Sequence, residues 1–269
     1  MLDLFLILTH LFIVAGAVAG VLYLKTNRAG WHRLFAATAW GAIASQSGWL
    51  AAAGFEYPYC VLLDAWGMMA FVVLMGIGVP LWAEHRYHMP RLPIATLVLL
   101  FTAIVVGRLV FPPAGTSVSA GSVDTVLSVH IFLVVVGYAT LLVGCVTGIL
   151  FLIRSHTLKG GDLIEPDVPW PSLTAIDGLF VRSTGWGILI LVAGIVFGAT
   201  AIPESAASGE SWYADPKILL TTIGFLVYGA VLLIRKRQGF CSRIVVGLGT
   251  VGFICILLGF FAAGILNSG

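Results

Sequence analysis

Long runs of apolar residues alternate with short polar connections from one end of the chain to the other. A membrane-spanning helix needs about 20 consecutive, mostly apolar residues, and these runs have that length. We therefore predict an all-α fold, a polytopic membrane helix bundle of about eight transmembrane helices. The helices are expected near residues 3–24, 33–54, 62–83, 92–111, 127–153, 177–202, 216–234 and 242–266.

The composition agrees with this pattern. Of the 269 residues, 59% are hydrophobic and 10% are charged, whereas a soluble domain carries roughly 25% charged residues. We therefore predict a single integral membrane domain over residues 1–269, surrounded by the lipid bilayer. The net charge of +2 comes from basic residues spread along the chain, which form no basic patch and so exclude nucleic acid as a partner.

Lysine and arginine residues indicate the orientation of these helices. Positively charged residues concentrate in the cytoplasmic connections of membrane proteins. Twelve of the 14 basic residues lie in or beside the connections after the first, third, fifth and seventh predicted helices; the exceptions are Arg108 and Lys217. We therefore expect both chain termini on the non-cytoplasmic side.

Two of the six histidines fall inside predicted helices, where an ionisable side chain is costly and commonly marks a functional site. His10 lies roughly 12 Å from the outer end of the first helix, and His130 lies near the start of the fifth. Neutral imidazole is a common ligand of haem iron, but a hydrogen bond to a neighbouring helix would explain either residue as well. The remaining histidines lie among basic residues and are expected in solvated loops: His32, His85, His88 and His156.

The predicted outer connection between the sixth and seventh helices contains the sequence ESWYADPK, residues 210–217. Trp212 and Tyr213 fit the aromatic anchors found at membrane interfaces. Asp215 and Pro216 fit the start of a helix, because an acid favours the positive end of the helix dipole and proline suits the first turn. By itself this connection does not indicate a binding site.

Small residues recur at four-residue spacing in the predicted helices. Such pairs let helix backbones approach closely, and we interpret them as general membrane-helix packing. The pairs are Gly16 and Gly20, Gly144 and Gly148, and Gly194 and Gly198. Asp177 and Arg182 are not at the best spacing for a pair on one helix. We expect Asp177 to stabilise the helix N-terminus and Arg182 to face lipid headgroups or another helix.

Three segments together resemble the cytochrome c assembly family, the CcsA/HemX-type membrane proteins. They are LSVHIFLVVVGYATLLVGCVTGILFLI, which contains His130; LTAIDGLFVRSTGWGILILVAGIVFGA, which contains Asp177 and Arg182; and ESWYADPKILLTTIGFLVYGAVLLIRKRQGF. Their order and spacing resemble the family over about residues 125–260, whereas the first four predicted helices resemble it in hydropathy and in their basic turns.

The resemblance implies that the protein binds or presents haem near the outer face of the membrane during cytochrome c maturation. In the haem-delivering members, outer tryptophans stack on the porphyrin and two flanking histidines ligate the iron. We therefore expect non-covalent, b-type haem, with His130 as an iron ligand and with Trp212 and Asp215 as further contacts. The family's second outer histidine is absent, so His10 is the candidate for the other axial position.

The same resemblance implies apocytochrome c and other cytochrome c biogenesis membrane proteins as partners, and a bacterial inner (cytoplasmic) membrane location. It implies an assembly factor, with lyase-like activity only together with partners. The connection at Trp212 lacks the other tryptophans of the family pattern, so a second function stays open: a non-catalytic membrane regulator or scaffold of tetrapyrrole metabolism that acts on a cytoplasmic partner. A transporter or electron-carrying cytochrome would need several histidine pairs or broken helices, which the sequence does not contain.

Overall fold

The computed structural model describes residues 2–56, 65–110, 125–160, 170–200 and 216–266. This part of the chain forms eight α-helices and contains no strand, which confirms the predicted all-α fold. In chain order the helices are α1 (Leu2–Thr26), α2 (Ala29–Glu56), α3 (Ala65–Tyr87), α4 (Arg91–Val110), α5 (Thr125–Lys159), α6 (Leu173–Thr200), α7 (Pro216–Gln238) and α8 (Arg243–Leu266). Each helix lies over one of the predicted membrane-spanning segments.

Four helices are long and apolar enough on their own to cross a membrane. Within the described ranges they are Leu2–Thr26, Val126–Lys159, Leu173–Thr200 and Leu219–Gln238, and shorter apolar stretches cover Arg91–Thr102 and Arg243–Gly259. Large apolar side chains on these helices point outward, among them Leu11, Leu189 and Leu226, which are 60%, 60% and 70% exposed. Helix surfaces of this kind suit a lipid environment. The chain is therefore a polytopic membrane protein.

The chain folds as two compact units. The first unit comprises Met1–Val123 and Thr157–Pro171, and it contains α1 to α4. The second unit comprises Asp124–His156 and Ser172–Gly269, and it contains most of α5 together with α6, α7 and α8. A single membrane domain over residues 1–269 would require these units to be joined as one body, and it stays a prediction.

Three helices end through a residue in the left-handed conformation. These residues are Asn27 after α1, His88 after α3 and Gly239 after α7, with φ angles of 47°, 55° and 77°. The N–H of each donates a hydrogen bond to the carbonyl four residues earlier, at 2.8, 2.7 and 2.9 Å. These bonds satisfy carbonyl groups that would otherwise lack a partner at the helix end.

The start of α6 differs from the expected position. Ser172 precedes the helix, and its Oγ accepts a hydrogen bond from the N–H of Ala175 at 3.2 Å. A serine with this contact is a favourable N-terminal cap. The helix therefore begins at Leu173, about one turn earlier than residue 177. Asp177 lies inside the helix, so the expectation that it acts at the helix N-terminus is wrong.

In the first unit, α1 and α2 pack antiparallel along what we call the α1–α2 seam. Along this seam a small residue of one helix faces a side chain of the other. The facing pairs are Phe5 with Gly48, Thr9 with Ser45, Phe12 with Gly41, Thr38 with Gly16 and Phe35 with Gly20. Because glycine has no Cβ, the two backbones can approach closely at the four pairs that contain one.

In the second unit, α5 and α6 form a longer contact of the same kind, the α5–α6 seam. The facing pairs are His130 with Gly198, Val134 with Gly194, Leu191 with Gly137, Leu141 with Gly187, Thr184 with Gly144, and Phe180 with Gly148. Every pair contains a glycine. Positions advance along each helix by alternating steps of four and three residues, the repeat of left-handed helix packing. The interpretation of these glycines as packing residues is confirmed.

Candidate functional site

His130 lies near the N-terminal end of α5 and contacts α6. Its Nδ1 atom is 2.7 Å from the carbonyl oxygen of Gly194. A carbonyl oxygen can only accept a hydrogen bond, so Nδ1 carries the proton and donates it. In the neutral ring Nε2 is then unprotonated, and its lone pair is available to a metal.

Gly198 provides the space that this ring occupies. A Cβ built at Gly198 would lie 2.5 Å from Nδ1 and 2.6 Å from Cε1 of His130. Both distances are far below van der Waals contact, so the ring can lie here only against a glycine. Two features of α6 therefore hold the imidazole: the carbonyl of Gly194 and the bare backbone at Gly198.

His10 has a different environment. Its Nδ1 is 2.7 Å from the carbonyl oxygen of Leu6, one turn earlier in the same helix. This contact also requires a proton on Nδ1. The interhelical hydrogen bond that we expected as the alternative role is present at His130 and, within the described residues, absent at His10. The neighbouring Thr9 makes the contact to α2 instead, through Ser45.

The other predicted contacts to haem fall outside what the structure tests. Trp212 and Asp215 lie outside the described residues. α7 begins at Pro216, which agrees with the expected role of this proline in the first turn of a helix. His10 and His130 belong to different units, so their pairing as axial ligands stays a prediction.

The chemistry of His130 fits a ligand of haem iron. In the ranges that the structure describes, no three His, Cys, Asp or Glu side chains come together as a bare metal ion would require. Haem iron is different, because the porphyrin nitrogens already coordinate it and protein ligands fill only the axial positions. A histidine that donates Nδ1–H to a carbonyl and presents Nε2 is the usual form of a metal-bound histidine.

Sequence reasoning missed a polar contact that joins three elements of the second unit. The carboxylate of Asp177 on α6 accepts hydrogen bonds from Nη2 and Nε of Arg235 at the end of α7, at 2.6 and 3.1 Å. It also accepts one from the backbone N–H of Cys241, before α8, at 2.9 Å. Asp177 is only 8% exposed. Both members of the pair lie in the family-like segments, but no local spacing relates them.

The same contact affects the Cys241 thiol. Burial raises its pKa, and the hydrogen bond and negative charge of Asp177 raise the pKa further. The side chain is 2% exposed. The thiol therefore stays protonated, and it is a packing group of this turn.

The expectation of solvated loop histidines is also wrong in part. His32 lies in α2, and its Nε2 is 3.0 Å from Oε1 of Glu84 in α3. The ring of His32 also contacts that of Tyr23, with 4.9 Å between centroids. His85 and His156 lie within α3 and α5 but are exposed, and His88 is exposed just after α3, so the expected solvation is confirmed for these three. His32 instead pairs with Glu84, and this contact connects α2 and α3.

A comparison with protein families decides the relationship of the chain. The family model described as Cytochrome C assembly protein matches residues 62–269. The chain belongs to the cytochrome c assembly protein family. The match starts well before residue 125, so it takes in α3 and α4 of the first unit as well as the whole second unit.

Relatives of this cytochrome c assembly family member include several named cytochrome c biogenesis protein CcsA. The one from Prochlorococcus marinus (strain MIT 9215) is 24% identical over 238 residues, which cover 80% of this chain and 75% of the relative. The one from Guillardia theta is 27% identical over 158 residues, 53% of this chain and 52% of the relative. The match therefore spans about half of the length of the Guillardia theta protein. No solved structure matches the chain.

Proposed function

We propose that this family member is a membrane component of cytochrome c maturation that binds or presents haem near the outer face of the membrane. His130 is an iron ligand in this proposal. The observation that carries it is the 2.7 Å hydrogen bond from Nδ1 of His130 to the carbonyl of Gly194. That bond places the proton on Nδ1 and leaves Nε2 unprotonated, as ligation requires. The family match and the relatives named as cytochrome c biogenesis proteins support the biological context.

The remaining parts of the proposal follow the resemblance. Haem is bound non-covalently, as b-type haem, with His10 in the second axial position. Trp212 stacks on the porphyrin and Asp215 makes a polar contact near it. When bound, haem supplies the vinyl groups that the thiols of apocytochrome c attack. This chain contributes ligation and orientation, together with other biogenesis proteins of a bacterial inner membrane.

A haem titration of the purified protein tests the proposal. We expect wild-type protein to bind haem with a low-spin absorbance spectrum, and His130→Ala to weaken binding by about tenfold or more. His156→Ala is the matched control, because His156 lies at the opposite end of the same helix. A His130→Ala protein with wild-type haem affinity would refute the assignment of this residue.

The second axial ligand needs its own experiment. If His10 ligates the iron, His10→Ala should convert the low-spin spectrum to a high-spin one, because one axial position loses its imidazole. An unaltered low-spin spectrum would remove His10 from the site. His32→Ala is a suitable control, since His32 is engaged with Glu84 in α3.

A second function is favoured by one feature of the sequence. ESWYADPK carries one tryptophan, and no histidine follows His156 in the chain, so the outer ligand set of haem-delivering members is reduced. This feature suits a non-catalytic regulator or scaffold of tetrapyrrole metabolism. A purified protein that takes up no haem, and that retains a cytoplasmic enzyme of tetrapyrrole synthesis on an affinity column, would support this second function.

A further inference from the structure

We infer that Gly198, together with the carbonyl of Gly194, is a positioning device that fixes the direction and the proton of His130. The inference rests on the proposed function, because it explains how the chain prepares His130 for iron. It assigns a role to two glycines that the sequence presents only as packing residues.

His130 differs from the other side chains that face a glycine in the α5–α6 seam. In the five other pairs, the side chain that faces the glycine is apolar or is a threonine. His130 is the one ring with polar nitrogens in the seam, and it occupies the last pair toward the N-terminal end of α5. The register of the whole seam thus determines which residue of α6 the imidazole meets.

Helix geometry brings the Gly194 carbonyl close to position 198. A carbonyl in an α-helix points along the axis toward the residue four positions later, so the Gly194 carbonyl points toward position 198. A side chain at position 198 would cover that oxygen. Glycine leaves it accessible and also leaves room for the ring, whose Nδ1 would otherwise lie 2.5 Å from a Cβ. One missing Cβ therefore permits both the fit of the ring and the hydrogen bond.

The consequence concerns Nε2. With Nδ1 held at 2.7 Å from a carbonyl, the neutral ring is restricted to the Nδ1–H tautomer. The backbone of α6 at Gly198 lies against the Nδ1 and Cε1 atoms of the ring and so holds the ring plane. Iron ligation at Nε2 then needs no change of tautomer. Loss of an outer hydrogen-bond partner of this kind typically weakens metal binding about 10- to 100-fold.

The tautomer can be measured without haem. Full-length protein with ¹⁵N-labelled histidine, in detergent micelles, reports by NMR which ring nitrogen carries the proton. The His130 signal is assigned by its loss in His130→Gln. We expect the Nδ1–H tautomer in wild-type protein and a mixture of tautomers in Gly198→Ala. A wild-type ring protonated on Nε2 would overturn the inference, and this measurement needs no glycine variant to fold.

Haem titration of the same proteins gives the second readout. We expect Gly198→Ala to bind haem about 10- to 100-fold more weakly than wild-type protein. Gly185→Ala is the matched control, because an added Cβ there meets nothing within 4 Å. Gly187→Ala controls for crowding of the seam, since its Cβ would lie 2.7 Å from Cγ of Leu141, several turns away from His130. We expect both controls to keep wild-type affinity and tautomer.

The outcomes separate the inference from the proposed function. Wild-type affinity in Gly198→Ala, combined with loss of binding in His130→Gln, would overturn the positioning role and leave the ligand role intact. An equal loss in Gly187→Ala and Gly198→Ala would also overturn the inference, because crowding anywhere in the seam would then explain it. Absence of haem binding by wild-type protein would refute the proposed function, whereas the tautomer measurement would still test how the ring is held.

Discussion

The α1–α2 seam of the first unit and the α5–α6 seam of the second follow the same packing rule, but their polar residues have different roles. Both place glycines against larger side chains in antiparallel helices. In the first seam the polar pair is Thr9 with Ser45, whose oxygens lie 3.1 Å apart, and the Ser45 hydroxyl donates to the carbonyl of Phe5 at 2.7 Å. In the second seam, which also contains Thr184, His130 is the polar ring, and one of its two nitrogens hydrogen-bonds to the facing helix.

This difference separates a structural polar contact from a candidate binding site. The Thr9 and Ser45 hydroxyls use their protons within the two helices, to each other and to the Phe5 carbonyl. Such contacts hold membrane helices together and leave little for a ligand. His130 keeps an unprotonated Nε2 after its interhelical bond is made. The two sites differ in whether a polar atom remains to bind a ligand; burial and depth do not distinguish them.

A second contrast lies in the ion pairs of the two units. His32 and Glu84 are linked by a single contact at 3.0 Å, with side chains that are 37% and 18% exposed. Asp177 and Arg235 are linked by two contacts, with side chains that are 11% and 22% exposed, and Asp177 also accepts from a backbone N–H. A more buried carboxylate with three donors should matter more to stability than the half-buried His32–Glu84 pair with its single contact.

The largest expected effect comes from breaking the Asp177 contact. Asp177→Ala should lower the free energy of unfolding by about 3 kcal/mol, because the partly exposed Arg235 and the buried N–H of Cys241 lose their shared acceptor. Glu84→Ala, the matched change in the first unit, should cost less than about 1 kcal/mol. Denaturant titrations in detergent, followed by circular dichroism, measure both. Equal costs for the two variants would contradict the contrast between the ion pairs.

Most of the helices could be predicted from the sequence, because bilayer thickness constrains the length of an apolar run. The start of α6 was also within reach, since Ser172 is a local capping signal. The contacts between residues of different helices could not be predicted from the sequence. Gly194 and Gly198 stand out by spacing, but that Gly198 faces His130 depends on the register of two antiparallel helices. Asp177 and Arg235 are 58 residues apart, and no periodicity connects them.

The second-largest expected effect comes from adding a Cβ to each seam, which tests whether the two seams are equally tight. A Cβ at Gly187 would lie 2.7 Å from Cγ and 3.1 Å from the backbone nitrogen of Leu141, and a backbone atom cannot move alone. Gly187→Ala should therefore cost about 1–3 kcal/mol of unfolding free energy. At Gly48 the nearest atoms belong to the ring of Phe5, the closest at 2.8 Å, and a ring can turn. Gly48→Ala should cost less.

The control for this pair is Gly185→Ala on α6, where the added Cβ has open space. Alanine is the better helix former by roughly 1 kcal/mol, so this variant should be as stable as wild-type protein or slightly more stable. A Gly48→Ala protein less stable than Gly187→Ala would show that the α1–α2 seam is the tighter one, which is the reverse of our expectation.

The smallest expected effect concerns the polar pair of the α1–α2 seam. Ser45→Ala removes the hydroxyl that bonds to Thr9 and to the carbonyl of Phe5. Interhelical hydrogen bonds in membranes contribute on average about 0.6 kcal/mol, because a separated helix also finds partners, so the loss should be of that order. Ser47→Ala is the matched control, since Ser47 lies on the exposed side of the same helix. Thermal unfolding midpoints in one detergent would compare the two. A loss several times larger in Ser45→Ala would mean that this polar pair, like Asp177, fixes the arrangement of its unit, and the first seam would then depend on more than glycine packing.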